Sequence, residues 1–344
     1  MKSPKPAPIL NCDYLDCHVN FSTAKEGVYP TQFTIKTLPH GTRHFSIIEE
    51  VYLDKKRIAT IRRAPFSELL PAELVLCKFD NWLLYRYDCF KFAEKFFRDC
   101  ALTFKNFARL DLSLDFQEFE NGMKPDLFIK RYLTGSVLKM GKAAKFKVIG
   151  TQTPIEHIFE SLRFGSMLSE ISYYLYNKTK EMEQQKWKAW IHTTWERNGF
   201  DITKDVWRLE FSIKSGNKIL VDTESGESLI IHSLESLQRD NMEIIFDVLR
   251  DKYWQFVWND GQQKKSRMRK LKLFNQSDFN FELSELECSK EATRSTKIFI
   301  KKLEETATEL RGTDIEGVFA ANHLKAKMIS DFGLHYWAIQ KGIS

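Results

Sequence analysis

The sequence predicts an α+β protein built on a largely antiparallel sheet. Several segments alternate apolar and polar residues with the period of a strand. Others repeat apolar residues every three to four positions, as helices do. The two kinds mix without the regular strand–helix–strand spacing of a parallel sheet. The chain has 344 residues, 43% of them hydrophobic, with 27 Phe and 8 Trp, enough for a sizeable core. Only 15 Gly and 9 Pro occur, so regular elements are expected to be long and linkers few.

The stretch up to residue 28 is weakly patterned and is expected to be weakly structured. Strands are expected at 32–38, 44–53, 57–63 and 74–79. Residues 87–107 place aromatics at helical spacing and predict an amphipathic helix. ARLDLSLDF (108–116) alternates strictly and is the strongest strand signal in the chain. MKPDLFIKRYL (123–133) predicts a helix with proline in its first turn. Strands follow at 144–151 and 169–178, then a helix at 187–199 closed by Gly199, then a strand at 205–214. The texture changes after Gly226: 228–250 reads as helix, 252–258 as strand, and 286–342 as two helices around residues 312–314. The division this suggests is an N-terminal segment (1–28), a main domain (29–225) and a C-terminal half (226–344). That last part would either complete the sheet or form a separate specificity region.

Net charge is +6, which permits a polyanionic partner without requiring one. The six cysteines include no CxxC pair and sit mostly in apolar runs, as buried thiols of a reducing, cytoplasmic protein would. The polar, proline-broken start MKSPKPAPILNCDY predicts neither a signal peptide nor membrane attachment.

Chemistry is concentrated on three strands. In 108–116, Asp111, Ser113 and Asp115 share one face while Leu110, Leu112, Leu114 and Phe116 share the other. In 169–178, Tyr174, Tyr176 and Lys178 oppose Ile171, Tyr173 and Leu175; in 205–214, Arg208 and Glu210 oppose Trp207, Leu209 and Phe211. Each strand alone reads most simply as a sheet strand with one wet face. If the three are neighbours, that face gathers Asp111, Asp115 and Glu210 beside Tyr176 and Lys178. Clustered carboxylates suit Mg²⁺ or Mn²⁺. A cation or base nearby would help a phenol, whose ordinary pKa is about 10, to act as a nucleophile on a phosphodiester.

RLDLSLDF (109–116), FGSMLSEISYYLYNKTKE (164–181) and DVWRLEF (205–211), in that order and spacing, resemble the replication initiation factors of rolling-circle plasmids, mobile elements and filamentous phages. The likeness covers roughly residues 75–215. It implies two RRM-like halves sharing one antiparallel sheet, with helices on one face and a C-terminal helical region beyond. It also implies a sequence-specific nicking and joining enzyme, often a homodimer. In such an enzyme Tyr176 is the nucleophile, and Asp111, Asp115 and Glu210 hold the divalent metal; from their place beside the tyrosine, Lys178 or Lys180 would stabilise the phosphate or the leaving oxygen. Nicking would leave a 5′-phosphotyrosyl link and a free 3′-hydroxyl for a host polymerase. The His–hydrophobic–His pair of better-known initiators is absent, and Met167 stands where the pattern has a basic residue. No P-loop occurs, so unwinding would fall to a host helicase.

The run QQKKSRMRKLKLF holds Lys264, Lys265, Arg267, Arg269, Lys270 and Lys272, a natural contact for DNA phosphates or else a solvated face. Arg208 is a further expected DNA contact, with a surface pair to Glu210 as its plainer reading. Two other functions fit the same residues: a non-catalytic origin-binding protein, and a metal nuclease that uses water.

Overall fold

In the computed structural model, residues 6–21, 29–67, 70–86, 88–141, 145–166, 169–185, 187–214, 220–222, 228–231 and 233–274 are described. The tail helices expected at 286–342, Met167 and Cys288 lie outside these residues. No helix among the described residues is long and apolar enough to cross a membrane.

The elements run β1 (Ile9–Phe21), β2 (Thr34–Thr37), β3 (Phe45–Leu53), β4 (Lys56–Pro65), β5 (Val75–Phe79), α1 (Asn81–Leu84), α2 (Cys89–Asp99) and β6 (Leu102–Phe116). There follow α3 (Pro125–Leu133), β7 (Val137–Lys139), β8 (Phe146–Gln152), β9 (His157–Phe164), β10 (Ile171–Asn177), α4 (Lys178–Gln184), α5 (Ala189–Arg197) and β11 (Trp207–Lys214). The last are β12 (Leu220–Asp222), β13 (Ser228–Ile230), α6 (Arg239–Tyr253), β14 (Phe256–Trp258) and β15 (Lys270–Leu271).

Ten strands form one sheet in the order β2-β3-β4-β5-β1-β6-β11-β10-β9-β8. Every pairing in it is antiparallel. The order is palindromic. Each half places its first strand (β1 or β6) at the centre. The last strand (β5 or β11) comes next, then a hairpin (β3–β4 or β9–β10), then an edge strand (β2 or β8).

β1 corrects the expectation for residues 1–28. It is a central strand, paired to both β5 and β6. Its register against β6 shifts between Cys12 and Tyr14, between Asp16 and Cys17, and between His18 and Val19. Such bulges break the two-residue alternation by which a strand is recognised. The same bulges explain a second difference. The helix predicted to run to 107 stops at Asp99, and Ala101 takes a left-handed φ of 51° as the chain turns into β6. Phe104, Phe107 and Leu110 are three residues apart, a helical spacing. Yet Lys105 and Ala108 are the residues skipped at two bulges, so all three side chains reach the same core from a strand.

That core fills the apolar face. Leu110, Leu112, Leu114, Leu209, Phe211 and Leu175 of the sheet pack beneath Phe96 and Phe97 of α2, Phe128 of α3, and Ile245, Phe246 and Leu249 of α6. The described C-terminal residues therefore add α6 to this layer and no strand to the large sheet. β14 instead pairs with β7 and β15 in a small sheet of its own. The other face is not left bare: Trp190, Ile191 and Trp195 of α5, Met182 of α4 and Tyr85 form a second, smaller core over Ile9. Helices thus cover part of both faces. The five described cysteines are free and buried.

Candidate functional site

Strand register brings the predicted segments together. Tyr176 lies opposite Arg208, and Arg208 opposite Asp115; Tyr174 lies opposite Glu210, and Glu210 opposite Ser113. Ser212 lies opposite Asp111 in the next row. All occupy the face turned away from the main core. That face splits into a sealed part and an open part.

The sealed part centres on Arg208, which is wholly buried. Its Nε and Nη2 donate to the two oxygens of Asp115 at 2.6 and 2.8 Å, Nη2 also donates to the Tyr85 hydroxyl at 2.6 Å, and Nη1 pairs with Asp13. Trp195 Nε1 donates to Asp115 Oδ2 at 2.7 Å. Tyr85 and Asn81 donate to Asp13 Oδ1 at 2.9 and 3.1 Å, and Trp190 Nε1 donates to Asn81 Oδ1 at 2.9 Å. Buried charges persist only when paired and bonded in this way. Burial raises the Asp13 carboxyl, but Arg208, Lys178 and Lys188 outweigh it and hold the group well below the usual carboxylate range. Arg208 therefore offers no surface to DNA, and its partners are Asp115 and Asp13, not Glu210. Asp13 was missed because it is the extra residue at the first β1 bulge, without a partner across the register. Bulges re-aim side chains in this way. Its only trace in the sequence is one of two acids, Asp13 and Asp16, in a mostly apolar stretch.

The open part holds the tyrosine. Tyr176 is 7% exposed, and its hydroxyl donates to Glu210 Oε2 at 3.0 Å. Lys178 Nζ approaches the same hydroxyl at 3.4 Å and pairs with Glu181 at 2.7 Å. The Tyr174 ring stacks on Tyr176 with centroids 4.6 Å apart. Asn177 caps α4, accepting from Lys180 N at 3.0 Å, and so fixes the turn from strand to helix just past the tyrosine. Burial, then the neighbouring acids Asp111 and Asp13, push the Glu210 carboxyl up to about 7. Burial and then Glu210 push the Tyr176 phenol well above its ordinary value, opposed by Arg208. The pair opens onto a cleft of about 290 Å³, whose walls include Tyr174, Lys180, Ser161 and Ile149. Lys180 also pairs with Glu160 at 3.1 Å.

The three carboxylates expected to bind metal do not converge. Asp115 is spent on Arg208 and Trp195. Asp111 accepts from Arg109 Nε at 2.9 Å and is 2% exposed. Glu210 accepts from Tyr176. Among the described residues, no group of three or more His, Cys, Asp or Glu side chains is placed to hold a metal ion. The set Asp111, Asp115 and Glu210 does not fit a divalent cation as arranged here.

The basic run is exposed at Lys264, Lys265, Arg267, Arg269, Lys270 and Lys272, while Met268, Leu271 and Leu273 anchor it. Lys265 Nζ donates to Lys139 O at 3.0 Å, and Arg269 lies over the Trp258 ring at 5.5 Å. The run belongs to the β14–β15 unit, whose Trp254 and Phe256 pack on Phe164 under the apolar face. The sheet therefore separates it from Tyr176.

No protein-family model and no curated protein matches the chain. Among solved structures, the chain is similar to the rolling circle replication initiator protein from Geobacillus stearothermophilus. Identity is 15%, the TM-score is 0.45, and the match covers 77% of this chain and 93% of that one.

Proposed function

We propose that the chain nicks and rejoins DNA as an initiator of rolling-circle type, with Tyr176 as its nucleophile. The observation that carries this reading is the 3.0 Å hydrogen bond from the Tyr176 hydroxyl to Glu210, a carboxyl with a proton affinity near neutrality, at the edge of an open cleft. A general base works best when its pKa lies near the working pH and it sits within hydrogen-bond reach of the proton. Glu210 meets both conditions.

The step balances simply. Glu210 accepts the phenol proton as the Tyr176 oxygen attacks the phosphorus. The bond from phosphorus to the 3′ oxygen breaks, and that oxygen takes a proton from water and leaves as a 3′-hydroxyl. The 5′ phosphate stays on the tyrosine, and attack by a 3′-hydroxyl reverses the reaction to join strands. The raised phenol pKa keeps Tyr176 protonated at rest, so proton loss must accompany attack. Lys178, 3.4 Å from the hydroxyl, balances charge on the phenolate oxygen. Lys180, on the cleft wall, suits a phosphate oxygen. The reading calls for origin DNA, a host polymerase and helicase, and a second copy of the chain as partners.

The test uses supercoiled DNA carrying the sequence around the coding gene, with protein and Mg²⁺. Wild type should nick it and remain joined to the 5′ end. Tyr176→Phe should bind that DNA but form no adduct. Nicking by Tyr176→Phe at the wild-type rate would overturn the assignment and favour a water-using nuclease.

A further inference from the structure

On the side of the molecule turned away from Tyr176, cations gather without acids to balance them. A 3₁₀ turn at Lys265–Arg267 and the strand β15 expose Lys264, Lys265, Arg267, Arg269, Lys270 and Lys272. Among the described residues, none of the six has a carboxylate partner. Asp260, the acid within this segment, accepts instead from the backbone N–H groups of Gln262 and Arg269, each at 3.3 Å. Asp251 is spent on Arg250 at 3.1 Å. Burial, and then the charge of Lys265, hold the neighbouring Lys139 ammonium below the ordinary lysine range. Crowded like charges repel, and an anionic partner relieves that repulsion. We propose that this face binds double-stranded DNA through its phosphates alone, outside the tyrosine cleft, and so anchors the chain to duplex DNA. The anchor goes beyond the nicking reading and needs no chemistry at Tyr176.

Three observations select the duplex. The surface is preformed: β14 pairs with β7 and β15, Lys265 Nζ donates to Lys139 O at 3.0 Å, and Asn121 Nδ2 donates to Lys272 O at 2.9 Å. The backbone beneath the cations is thus tied down at both ends of the run. Next, the surface offers no free ring to an unstacked base. Trp258 is half-buried, and Arg131 and Arg269 already lie over it at 5.0 and 5.5 Å. Single strands are held by stacking on aromatic rings as well as by charge. A duplex keeps its bases stacked inside and meets such a face with phosphates, whose binding by Lys and Arg carries no sequence information. Finally, the apolar residues of the run, Met268, Leu271 and Leu273, are buried. The run therefore has nothing to insert into a lipid surface.

The test removes charge from this face and, separately, from another. The full chain carries Tyr176→Phe throughout, so that no adduct enters the measurement. One set adds Lys264→Gln, Arg267→Gln and Lys270→Gln. The control set adds Lys36→Gln, Lys91→Gln and Lys105→Gln, which are exposed on β2, α2 and β6 and change the net charge equally. Fluorescence anisotropy reads binding of two labelled 24-bp DNA duplexes of unrelated sequence, a duplex RNA of the same length, and dT24, over a range of NaCl. The first set should weaken both DNA duplexes at least tenfold at about 0.1 M NaCl. It should also lower the slope of log Kd against log salt by about 3. Binding of dT24 should change less than threefold, and the control set should leave duplex binding within twofold. Each single substitution in the first set should lower the slope by about 1, which gives the same reading independently of the triple variant. Circular dichroism and thermal midpoints check folding.

No duplex binding by the Tyr176→Phe chain, or duplex binding within twofold after the first set, would overturn the proposal. So would equal losses from both sets, a loss for dT24 matching that for the duplexes, a tenfold preference between the two DNA sequences, or tighter binding of the RNA duplex. The nicking reading is judged by the covalent adduct, which this measurement does not involve, so either claim can fail while the other stands.

Discussion

In the first half of the large sheet, β4 passes to β5 through residues 66–74; in the second, the corresponding step from β10 to β11 takes residues 178–206 and contains α4 and α5. The same strand order therefore carries two different polar faces. In the first half, the arginines of the charge pairs reach solvent: Arg57, 42% exposed, pairs with Glu50 and Asp80 at 2.7 and 2.8 Å, and Arg62, 23% exposed, pairs with the buried Asp16. Tyr14 sits between Lys78 and Arg109, each 4.4 Å from its ring. In the second half, the inserted helices seal Arg208 and Asp115 beneath Trp195 and leave one open edge at Tyr176 and Glu210. A site arises where an insertion removes water from one part of a polar face and leaves an opening in another. Low dielectric then raises Glu210 towards neutrality.

The largest contrast between the halves is expected for the two tyrosines. Tyr176→Phe should reduce covalent adduct formation about 10³-fold or more. Tyr14→Phe, on the same face of the first half, should leave it unchanged. A matching loss in both would break the assignment of chemistry to one half.

Charge removal should separate the halves next. Arg208→Ala strands Asp115 and Asp13 in a buried site and should cost about 3–5 kcal/mol. Arg57→Ala, at an exposed arginine, should cost about 0–1 kcal/mol. Urea unfolding midpoints measure both, and comparable costs would mean that the second half is not sealed.

Glu210 supplies a pH test. Its folded pKa is raised, so the folded state holds its proton at pH values where the unfolded state has lost it. Stability from this group is present below about pH 4.5 and is lost as pH rises through about 7. Glu210→Gln should therefore be more stable than wild type at pH 8, by on the order of 3 kcal/mol. The gap should close in acid. Adduct formation by wild type should rise with pH through about 7, and Glu210→Gln should flatten that rise. Unchanged profiles would remove Glu210 as the base.

The smallest effect tests the lid. Trp195→Phe removes one hydrogen bond to Asp115 and shrinks a buried ring, for a cost of about 1–3 kcal/mol by thermal or urea unfolding.

Much of this fold was legible in the sequence, and the reasons for the rest are specific. Strictly alternating segments such as 108–116 and 205–214 announced strands because one face is greasy throughout. β1 did not, because three register shifts and the residues Asn11, Asp13 and Asp16 hide its period. Faces could be read, so Tyr176, Lys178 and Glu210 were expected together, and the Tyr176 hydroxyl lies within hydrogen-bond distance of both Glu210 and Lys178. Cover could not be read. Whether an aspartate on a polar face meets water or a buried guanidinium depends on which helix returns over it, and periodicity holds no record of that. Asp115 and Arg208 were therefore expected at a surface, whereas they lie beneath α5.

The most direct test of the central claim is to find the atom that holds the DNA. Wild-type protein trapped on nicked DNA can be digested with protease and nuclease, and the modified peptide sequenced by mass spectrometry. The account predicts a nucleotide remnant on Tyr176 within the peptide around ISYYLYNK. A remnant on Tyr173, Tyr174 or any residue of the first half, or cleaved DNA with no modified peptide, would contradict it.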